Sequence, residues 1–345
     1  MERVPPAPAA DPLKELSARV PGFFRLGTSS WAYPGWRGLV YAPRAPVAAL
    51  ARDGLAAYAA WPLVRTVGLD RAFYASPSIE EYRTLAELVP PGFRFTVKAE
   101  QRCVRPDLGP DGTTFGSTSA NRGAGIANPH FLDPAFAVDV VLRPAIEGLR
   151  DRLGPVVFQF PPLDLSGHGA LGGVAGFLAR LERFLSGVQS RLPSDAGVTL
   201  AVELRNRDFF AGDAVVRYAS CLEAGGAVHS FLAHPTVPAI SAQRAALAGR
   251  VPDRGAIVVR WMLRGNFSYE SAASAFGPYD ALRAPDPATR AEIVSLLASA
   301  SPARPAFVVC NNKAEGCAAL SVRALAEEVV AGGTATIGPE GVDSR

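Results

Sequence analysis

Charged and polar side chains stand at the points where several short apolar runs of this sequence end. Glu203 ends one such run, and Arg205 follows it two residues later. A carboxylate in this position can act as a general base, and a neighbouring arginine would keep it ionised. The same pair is also typical of a structural ion pair that closes a barrel rim. The sequence leaves both interpretations open.

Lys98 ends another apolar run, in a chain that uses arginine for nearly all of its cations and has lysine elsewhere only at Lys14 and Lys313. A lysine among apolar neighbours is costly unless it is paired or lines a polar cavity. We therefore expect Lys98 to bind an anion, to stabilise an oxyanion, or to be neutralised by Glu203 or Asp70. Schiff-base chemistry at Lys98 has no further support in the sequence.

Asp70, Gln159 and Arg260 end three more of the runs. A buried glutamine must be hydrogen-bonded, so Gln159 either contacts a ligand or ties a rim together. Paired carboxylates perform glycoside hydrolysis, but the sequence gives no separation between Asp70 and Glu203, and this interpretation has little support. His229 also ends a run, and a lone histidine in this position is more often structural than catalytic.

Asn311, Asn312 and Lys313 follow the last apolar run. The spacing between Asn312 and Glu315 predicts a capping box at the start of a helix. Such a start with a lysine beside it fits the phosphate site that barrels often carry at this point. A well-capped helix with a surface lysine fits the residues equally well.

Aromatic residues crowd the segment 26–41, LGTSSWAYPGWRGLVY, which follows the first apolar run. Aromatic faces suit sugars, bases or apolar rings. We expect Trp31 and Tyr33, together with Tyr74 further along the chain, to line the ligand site. Trp36 is predicted instead to pack its loop onto the fold.

Eight apolar runs carry these residues, and helical patterns lie between them. The runs are Phe24–Ser29, Val64–Leu69, Arg94–Lys98, Val156–Phe160, Val198–Glu203, Ala227–Phe231, Ala256–Trp261 and Ala306–Cys310. The helical patterns are Ile79–Leu88, Pro134–Leu153, Leu171–Leu192, Asp213–Glu223, Pro287–Ala298 and Ala314–Val330. This alternation predicts an α/β fold, a single TIM-type (β/α)8 barrel. An open doubly wound sheet is the alternative, but no G-x-G-x-x-G follows the first run.

The barrel is predicted to span residues 22–333. Residues 1–21, rich in proline and alanine near their start, and residues 334–345 are predicted to be disordered tails. Residues 100–133 show neither a helical nor a strand period and are predicted to be a long loop inserted after the third strand. Loops beyond about 15 residues are usually functional lids or disordered segments.

Composition narrows the function classes. A net charge of +3 and a pI of about 8.7 are too mild to indicate nucleic-acid binding by themselves. The four cysteines form no C-x-x-C pair and the four histidines are scattered, so we expect neither a metal nor a cofactor. No stretch approaches the roughly 20 apolar residues of a membrane span, and the first twelve residues lack the apolar region of a signal peptide. By default, we expect a cytoplasmic protein without a membrane partner.

Five blocks of the sequence, read together, resemble the YecE-like family, domain of unknown function 72. They are LGTSSWAYPGWRGLVY (26–41), FRFTVKA (93–99), LGPVVFQFPP (153–162), LAVELRNRDFF (200–210) and FVVCNN (307–312). The resemblance implies a TIM-type barrel with no firmly established reaction. Where the family typically has Glu-x-Asn-Ser-Thr-Phe-Tyr, this chain has GLDRAFY at 68–74, and where the family tends to have Arg-x-His-Gly, Arg260 is followed by no histidine. The chain therefore resembles a divergent member.

Cations outnumber carboxylates among these residues, which predicts a polar, anionic or phosphorylated ligand, either a small molecule or a nucleic-acid-like anion. The sequence favours a metal-independent enzyme with Glu203 as general base and Lys98 as electrostatic stabiliser. The alternative is a non-catalytic barrel that binds a nucleotide, a nucleic-acid fragment or a sugar phosphate. A metal-dependent endonuclease-like hydrolase is a minor alternative, because only His229, Glu203 and Asp70 are placed to hold a metal. The sequence does not decide whether the protein is an enzyme.

Overall fold

The computed structural model describes residues 4–109, 126–166, 169–193, 196–251 and 254–332. Within these residues, eight parallel strands close into a barrel in which β1 pairs with β8 and the other strands pair with their neighbours along the chain. The strands are β1 (Phe24–Thr28), β2 (Thr66–Leu69), β3 (Arg94–Lys98), β4 (Leu153–Gln159), β5 (Leu200–Glu203), β6 (Val228–Ala233), β7 (Ile257–Trp261) and β8 (Ala306–Cys310). The predicted TIM-type (β/α)8 barrel is confirmed.

Helices alternate with the strands and cover the outside of the barrel. The longer helices are Asp11–Arg19, Ile79–Glu87, Arg143–Leu149, Gly173–Gln189, Gly212–Ala224, Ile240–Leu247, Tyr269–Phe276, Pro287–Leu297 and Ala318–Ala331. Shorter helices are Leu50–Asp53, Leu55–Ala59, Gln101–Val104, Pro134–Phe136 and Asn312–Glu315, and a π-helix spans Ala137–Leu142. The helix after β2 begins at Ser78, whose hydroxyl accepts a hydrogen bond from the Glu81 backbone while the Glu81 carboxylate accepts from the Ser78 backbone. This capping box satisfies donors that the first turn leaves free.

The boundaries of β6 differ from the prediction in a way that matters for the site. The predicted strand ends at Phe231, whereas β6 continues to Ala233 because Leu232 and Ala233 pair with Arg260 and Trp261 of β7. The residue that follows the strand is therefore His234. Placing His229 at the strand end was wrong.

The lower part of the barrel interior is filled with apolar side chains. Val157, Ala201, Ala256, Val258 and Phe307 form a buried cluster contributed by β4, β5, β7 and β8 and the residue before β7. Val157 lies opposite Ala201, and Val258 lies opposite Phe307, so these side chains share one level of the barrel. The charged residues at the carboxyl ends of the strands lie above this level.

The predicted disordered segment 1–21 contains a helix, Asp11–Arg19, and that prediction was wrong for the part of it that the structure describes. Leu13 and Leu16 pack against the core, and Arg65 donates hydrogen bonds to the carbonyls of Val20 and Pro21. Two leucines three residues apart give one turn of this helix an apolar face. The nearby proline and alanine residues made this short pattern hard to recognise in the sequence.

The predicted loop after β3 has structure of its own at both ends. It contains the helix Gln101–Val104 and an antiparallel pairing of Asp107–Leu108 with Ile126–Ala127. Residues 110–125, and the predicted tail at 334–345, lie outside the described residues.

Candidate functional site

The upper level of the barrel is occupied by five polar residues, Asp70, Gln159, Glu203, Arg205 and Arg260, which we call the mouth network. The Glu203 carboxylate accepts a hydrogen bond from Arg205 Nε at 2.9 Å and another from Arg260 Nη1 at 2.8 Å. Gln159 Oε1 accepts from Arg205 Nη2 at 3.1 Å and from Arg260 Nη1 at 3.0 Å. Arg260 Nη2 also donates to Asp70 Oδ1 at 3.0 Å. The network therefore links β2, β4, β5 and β7 across the barrel.

Strand register explains why these distant residues meet. Gln159 and Glu203 lie opposite each other as the last residues of β4 and β5. Arg260 is the second-to-last residue of β7, and Asp70 directly follows β2. Because parallel strands present their carboxyl ends at one face of a barrel, their terminal side chains converge there.

The electrostatics of Glu203 favour a role in positioning Arg205 and Arg260 over a role as general base. Burial alone would raise the pKa of Glu203, but the charges of Arg260 and Arg205 and their hydrogen bonds lower this pKa to about 2. Both carboxylate oxygens are occupied by guanidinium groups. A carboxylate of such low pKa accepts a proton poorly at neutral pH, since general bases work best with a pKa near the operating pH.

Lys98, the last residue of β3, behaves differently from the arginines. Its side chain is half-buried, and Nζ lies 3.6 Å from the centre of the Phe73 ring. Within the described ranges no carboxylate lies within 4 Å of Nζ, because Glu203 and Asp70 are paired with Arg205 and Arg260. Burial, together with repulsion from the two arginines, lowers the pKa of Lys98 to about 7, although Asp70 and Glu203 oppose this effect. The barrel mouth thus contains an amine that is partly uncharged at neutral pH.

Asp70 is the exposed member of the mouth network. Its side chain is 36% exposed, and only Oδ1 takes part in the pairing with Arg260. Beside it, a small cavity of about 160 Å³ lies between the loops after β1 and β2, lined in part by Ser29, Trp31 and Arg71. Trp31 is held there because its indole nitrogen donates to the Leu50 carbonyl at 3.1 Å. Trp31 and Asp70 therefore border one recess, while Trp36 is fully buried as predicted.

Tyrosines line the side of the mouth next to β1, β7 and β8. The Tyr33 ring contacts the Trp36 and Tyr279 rings, with centroid distances of 4.8 and 5.7 Å. Burial and the charge of Asp70 raise the pKa of Tyr33, so its hydroxyl stays protonated. Tyr74, predicted for the site, is 41% exposed and packs edge-on against Phe73.

Sequence reasoning missed Tyr269 and Tyr279, which lie in the long connection between β7 and β8. Lys313 Nζ lies 4.0 Å from the centre of the Tyr269 ring and 5.5 Å from that of Tyr279. A close approach of two loops positions Tyr279, because a Cβ atom at Gly35 would lie only 2.1 Å from the Pro278 carbonyl oxygen. The Pro34-Gly35 dipeptide predicts a turn, but the sequence does not predict which loop packs against this turn.

The side chains of Asn311 and Asn312, which follow β8, are hydrogen-bonded within the protein, and this favours a structural role over the predicted phosphate site. Asn311 Oδ1 accepts from the Lys313 backbone, and Asn311 Nδ2 donates to Ser29 Oγ at 2.9 Å. Asn312 is buried and its Oδ1 accepts from the Ala318 backbone at 2.7 Å. The predicted capping box of Asn312 and Glu315 is wrong, because Asn311 is the N-cap and the Glu315 carboxylate instead accepts from Arg290. The helix that begins here, Asn312–Glu315, is a single turn.

Two histidines of β6 and its end have different surroundings. His229 is buried between Tyr218 Oη at 2.9 Å and Gln243 Oε1 at 3.0 Å, which is the structural role expected of a lone histidine. His234 Nδ1 accepts from the Thr236 backbone and lies 2.9 Å from Thr236 Oγ1, which leaves the proton of the neutral ring on Nε2. Burial and the charges of Arg205 and Arg260 lower the pKa of His234 to about 4, although Glu203 opposes this effect. His234 is therefore a neutral side chain next to the mouth network.

A second cavity, of about 470 Å³, lies at the other end of the barrel, where β6 and β7 begin. Val228, Ile257, Leu247 and Arg254 are among its lining residues. The larger cavity and the mouth network thus lie in different places, and we assign the candidate site to the mouth network because of its chemistry.

Among the described residues, no three His, Cys, Asp or Glu side chains are grouped so that they could hold a metal ion. No described helix is both long and apolar enough to cross a membrane.

Comparison with known proteins agrees with this architecture. The family model described as protein of unknown function DUF72 matches residues 25–341. A crystal structure of a DUF72 family protein from Enterococcus faecalis is 16% identical, with a TM-score of 0.53 over 93% of this chain and 98% of that chain. A DUF72 family protein from Thermotoga maritima is 18% identical, with a TM-score of 0.48 over 88% of this chain and 99% of that chain. No curated protein matches the sequence. The Enterococcus structure supports the fold alone at this level of identity.

Proposed function

The chain belongs to the DUF72 family of proteins of unknown function, and from that premise we propose that its barrel mouth is the active site of a metal-independent enzyme acting on a polar, anionic or phosphorylated small molecule. The observation that carries this proposal is the amine of Lys98. It lies beside the mouth network and has no carboxylate partner within the described residues. The Phe73 ring gives this cation a cation–π contact, but a cation without a carboxylate partner is expensive to keep in a folded interior unless a ligand supplies the missing charge.

The charge of the mouth supports an anionic ligand. Lys98, Arg205 and Arg260 contribute cations, whereas Asp70 and Glu203 contribute two carboxylates. Arg260 and Arg205 are held by Glu203 and Gln159, so their positions are fixed before a ligand arrives. Preorganised cations stabilise developing negative charge without reorganising during the reaction.

The contacts favour a division of roles that differs from the one expected from the sequence. Glu203 acts as the anchor of two arginines. Lys98 is the group that contacts the ligand and exchanges protons, because its pKa of about 7 matches neutral conditions. Asp70, with one carboxylate oxygen outside the network, is the carboxylate that remains accessible to a ligand.

A ligand screen followed by a matched pair of variants tests this proposal. Thermal stability is measured against inorganic phosphate, sugar phosphates, nucleoside phosphates and oxo acids, and a ligand at 100 times its Kd stabilises by about 2.7 kcal/mol. Lys98→Met is expected to abolish the shift and any turnover of the compound, whereas Lys14→Met, in the exposed N-terminal helix, keeps both. A Lys98→Met variant that turns over the compound at the full rate would refute the catalytic assignment.

The non-catalytic alternative rests on the exposed aromatic rings of Tyr74 and Tyr269, which offer stacking surfaces beside the cations. A barrel of this kind would bind a nucleotide, a nucleic-acid fragment or a sugar phosphate without converting it. Its affinity would fall steeply as the salt concentration rises, because counterions are released on binding. Binding that survives Lys98→Met and is never followed by conversion would favour this alternative.

A further inference from the structure

We propose that Lys98 reacts covalently with the carbonyl group of an anionic substrate, an oxo acid or a phosphorylated aldehyde or ketone, and forms an imine with it. This inference rests on the proposed function and deepens it by naming the bond that forms and the class of substrate. It starts from the surroundings of one nitrogen atom.

The first observation is that the usual partners of a buried lysine are engaged elsewhere. Glu203 is bonded to Arg205 and Arg260, and Asp70 is bonded to Arg260. Lys98 Nζ is left over the face of Phe73, which offers no lone pair. The Lys98 residue as a whole is only partly buried.

The second observation is that the two neighbouring cations are arginines. Arginine stays protonated in proteins, so Arg205 and Arg260 act as permanent positive charges that repel a proton on Lys98. A lysine that is desolvated or next to another cation is the usual form of a carbonyl-reactive amine. Both conditions are met here, and both lower the pKa of Lys98.

The same arginines specify the substrate. A carbonyl compound without a charge gains nothing from Arg205 and Arg260, whereas a carboxylate or phosphate group next to the carbonyl is attracted by them. The chemistry shared by the candidates is therefore a carbonyl carbon close to an anion. The iminium ion that forms then withdraws electrons from the adjacent carbon, which is the purpose of covalent catalysis by lysine.

The step balances without an oxidant or a reductant. The nitrogen lone pair of Lys98 adds to the carbonyl carbon, and a proton moves from nitrogen to the former carbonyl oxygen to give a carbinolamine. The hydroxyl group then leaves as water after taking up one further proton, and the C=N bond of the iminium ion forms. Asp70 exerts the largest attraction on Lys98 among the surrounding charges and has an oxygen outside the network, so in this proposal it exchanges these protons through an intervening water.

Borohydride trapping tests this proposal on the unmodified protein. Glyoxylate is added at pH 7, the imine is reduced with sodium borohydride, and the adduct is located by peptide mapping. The chain has lysine only at positions 14, 98 and 313, so the assignment is direct. We expect Lys98 to be labelled on the order of a hundredfold faster than Lys14, because an ordinary lysine of pKa about 10.4 is almost fully protonated at pH 7. Equal labelling of Lys98 and Lys14 would overturn the proposal.

Variants separate the amine from its charge. Lys98→Arg keeps the positive charge and must abolish the adduct, while Lys14→Arg, in the exposed N-terminal helix, must leave labelling at position 98 intact. Neutral glycolaldehyde in place of glyoxylate is expected to label Lys98 at least tenfold more slowly, about the effect of one favourable charge contact. An adduct at Lys98 with no preference for glyoxylate would overturn the anionic substrate.

The two proposals fail in different ways. A mouth that binds phosphate or oxo acids but gives no borohydride-dependent adduct at Lys98 overturns the imine and leaves the anionic ligand site in place. A Lys98 adduct that neither phosphate nor any oxo acid suppresses, in a protein that none of these anions stabilises, overturns the anionic site and retains the reactive amine.

Discussion

Two buried ionic networks of this protein have opposite arrangements. In the mouth network one carboxylate, Glu203, is held by two arginines. In a second network, which we call the helix network, one arginine, Arg290, is held by the carboxylates of Glu315 and Glu328 between the helices Pro287–Leu297 and Ala318–Ala331. The mouth network lies at the carboxyl ends of the strands, whereas the helix network lies outside the barrel.

The difference teaches that buried charge alone does not identify a functional site. Both networks desolvate guanidinium and carboxylate groups. Pairing outweighs burial in its effect on the pKa of Glu203, whereas burial still raises the pKa of Glu315. The mouth network also has an amine without a carboxylate partner beside it, within the part of the chain that the structure describes. That surplus cation, and not the ion pairs, distinguishes the site from the structural network.

The largest expected effect comes from neutralising the central carboxylates. Glu203→Gln removes the carboxylate that Arg205 and Arg260 share and leaves Arg260 paired with Asp70 alone, and we expect a loss of about 3–5 kcal/mol in the free energy of unfolding. Glu315→Gln should cost less, because burial raises the pKa of Glu315 and so disfavours its charged form. Glu328→Gln, whose side chain is 35% exposed, should cost about 1 kcal/mol or less. Urea denaturation measures all three.

Ligand binding by the folded fraction then separates the two networks. Glu203→Gln should weaken it, because Arg205 and Arg260 lose their anchor, while Glu315→Gln should leave it unchanged. If Glu203→Gln kept wild-type stability and ligand affinity but lost turnover, Glu203 would be the general base expected from the sequence.

The second-largest expected effect is a gain in stability, at Lys98, and it distinguishes Lys98 from Arg290. The pKa of Lys98 is about 7 in the folded protein and about 10.4 in an unfolded chain. Between these values the unfolded chain binds a proton that the folded protein does not, so wild-type stability rises with pH through this window. Lys98→Met removes that penalty and should stabilise the protein at pH 7 by about 1–3 kcal/mol.

Melting temperatures at pH 7 and pH 9.5 check this prediction. The advantage of Lys98→Met should shrink as the pH rises, while Arg290→Met should destabilise at both values because it strands Glu315 and Glu328. A Lys98→Met variant less stable than the wild type at pH 7 would mean that Lys98 is paired like the cations of the helix network.

The third effect compares the two histidines. His234→Asn keeps an oxygen that can replace Nδ1 as acceptor from Thr236 but removes the Nε2 donor. We expect ligand affinity to fall about tenfold, the value of one hydrogen bond, with little change in stability. His229→Asn disturbs a buried pairing with Tyr218 and Gln243 and should cost about 2 kcal/mol of stability instead. Calorimetric titration and urea denaturation separate the two outcomes.

The smallest effect is expected at Tyr269, whose side chain is 61% exposed. Tyr269→Ala should leave stability within about 0.5 kcal/mol, since exposed positions contribute little. Its ring covers Lys313, so ligand affinity should weaken by about 0.5–1 kcal/mol. Tyr269→Phe keeps the ring and serves as the matched control. If both variants bound like the wild type, this side of the mouth would lie outside the ligand site.

Much of the candidate site could be predicted because parallel strands present their last residues at one face. Lys98, Gln159 and Glu203 were found by that rule alone. The rule failed at β6, where the strand continues two residues beyond the apolar run and is extended by pairing with β7. Local hydrophobicity does not report such pairing, so His234 was missed. Tyr279 was missed for a related reason, since its place depends on contact between two loops far apart in the sequence.

The sequence by itself determined the alternation of strands and helices and which charged residues stand near strand ends. These properties follow from residue order and hydrophobic pattern, which act locally. Tertiary structure alone decided how the charges are paired. Glu203 could equally have met Lys98, and only the folded structure brings Arg260 of β7 to the carboxylate that Arg205 also contacts. Charge pairing depends on distances of a few ångströms between distant segments, and this is why the amine of Lys98 is left free of a carboxylate within the described residues.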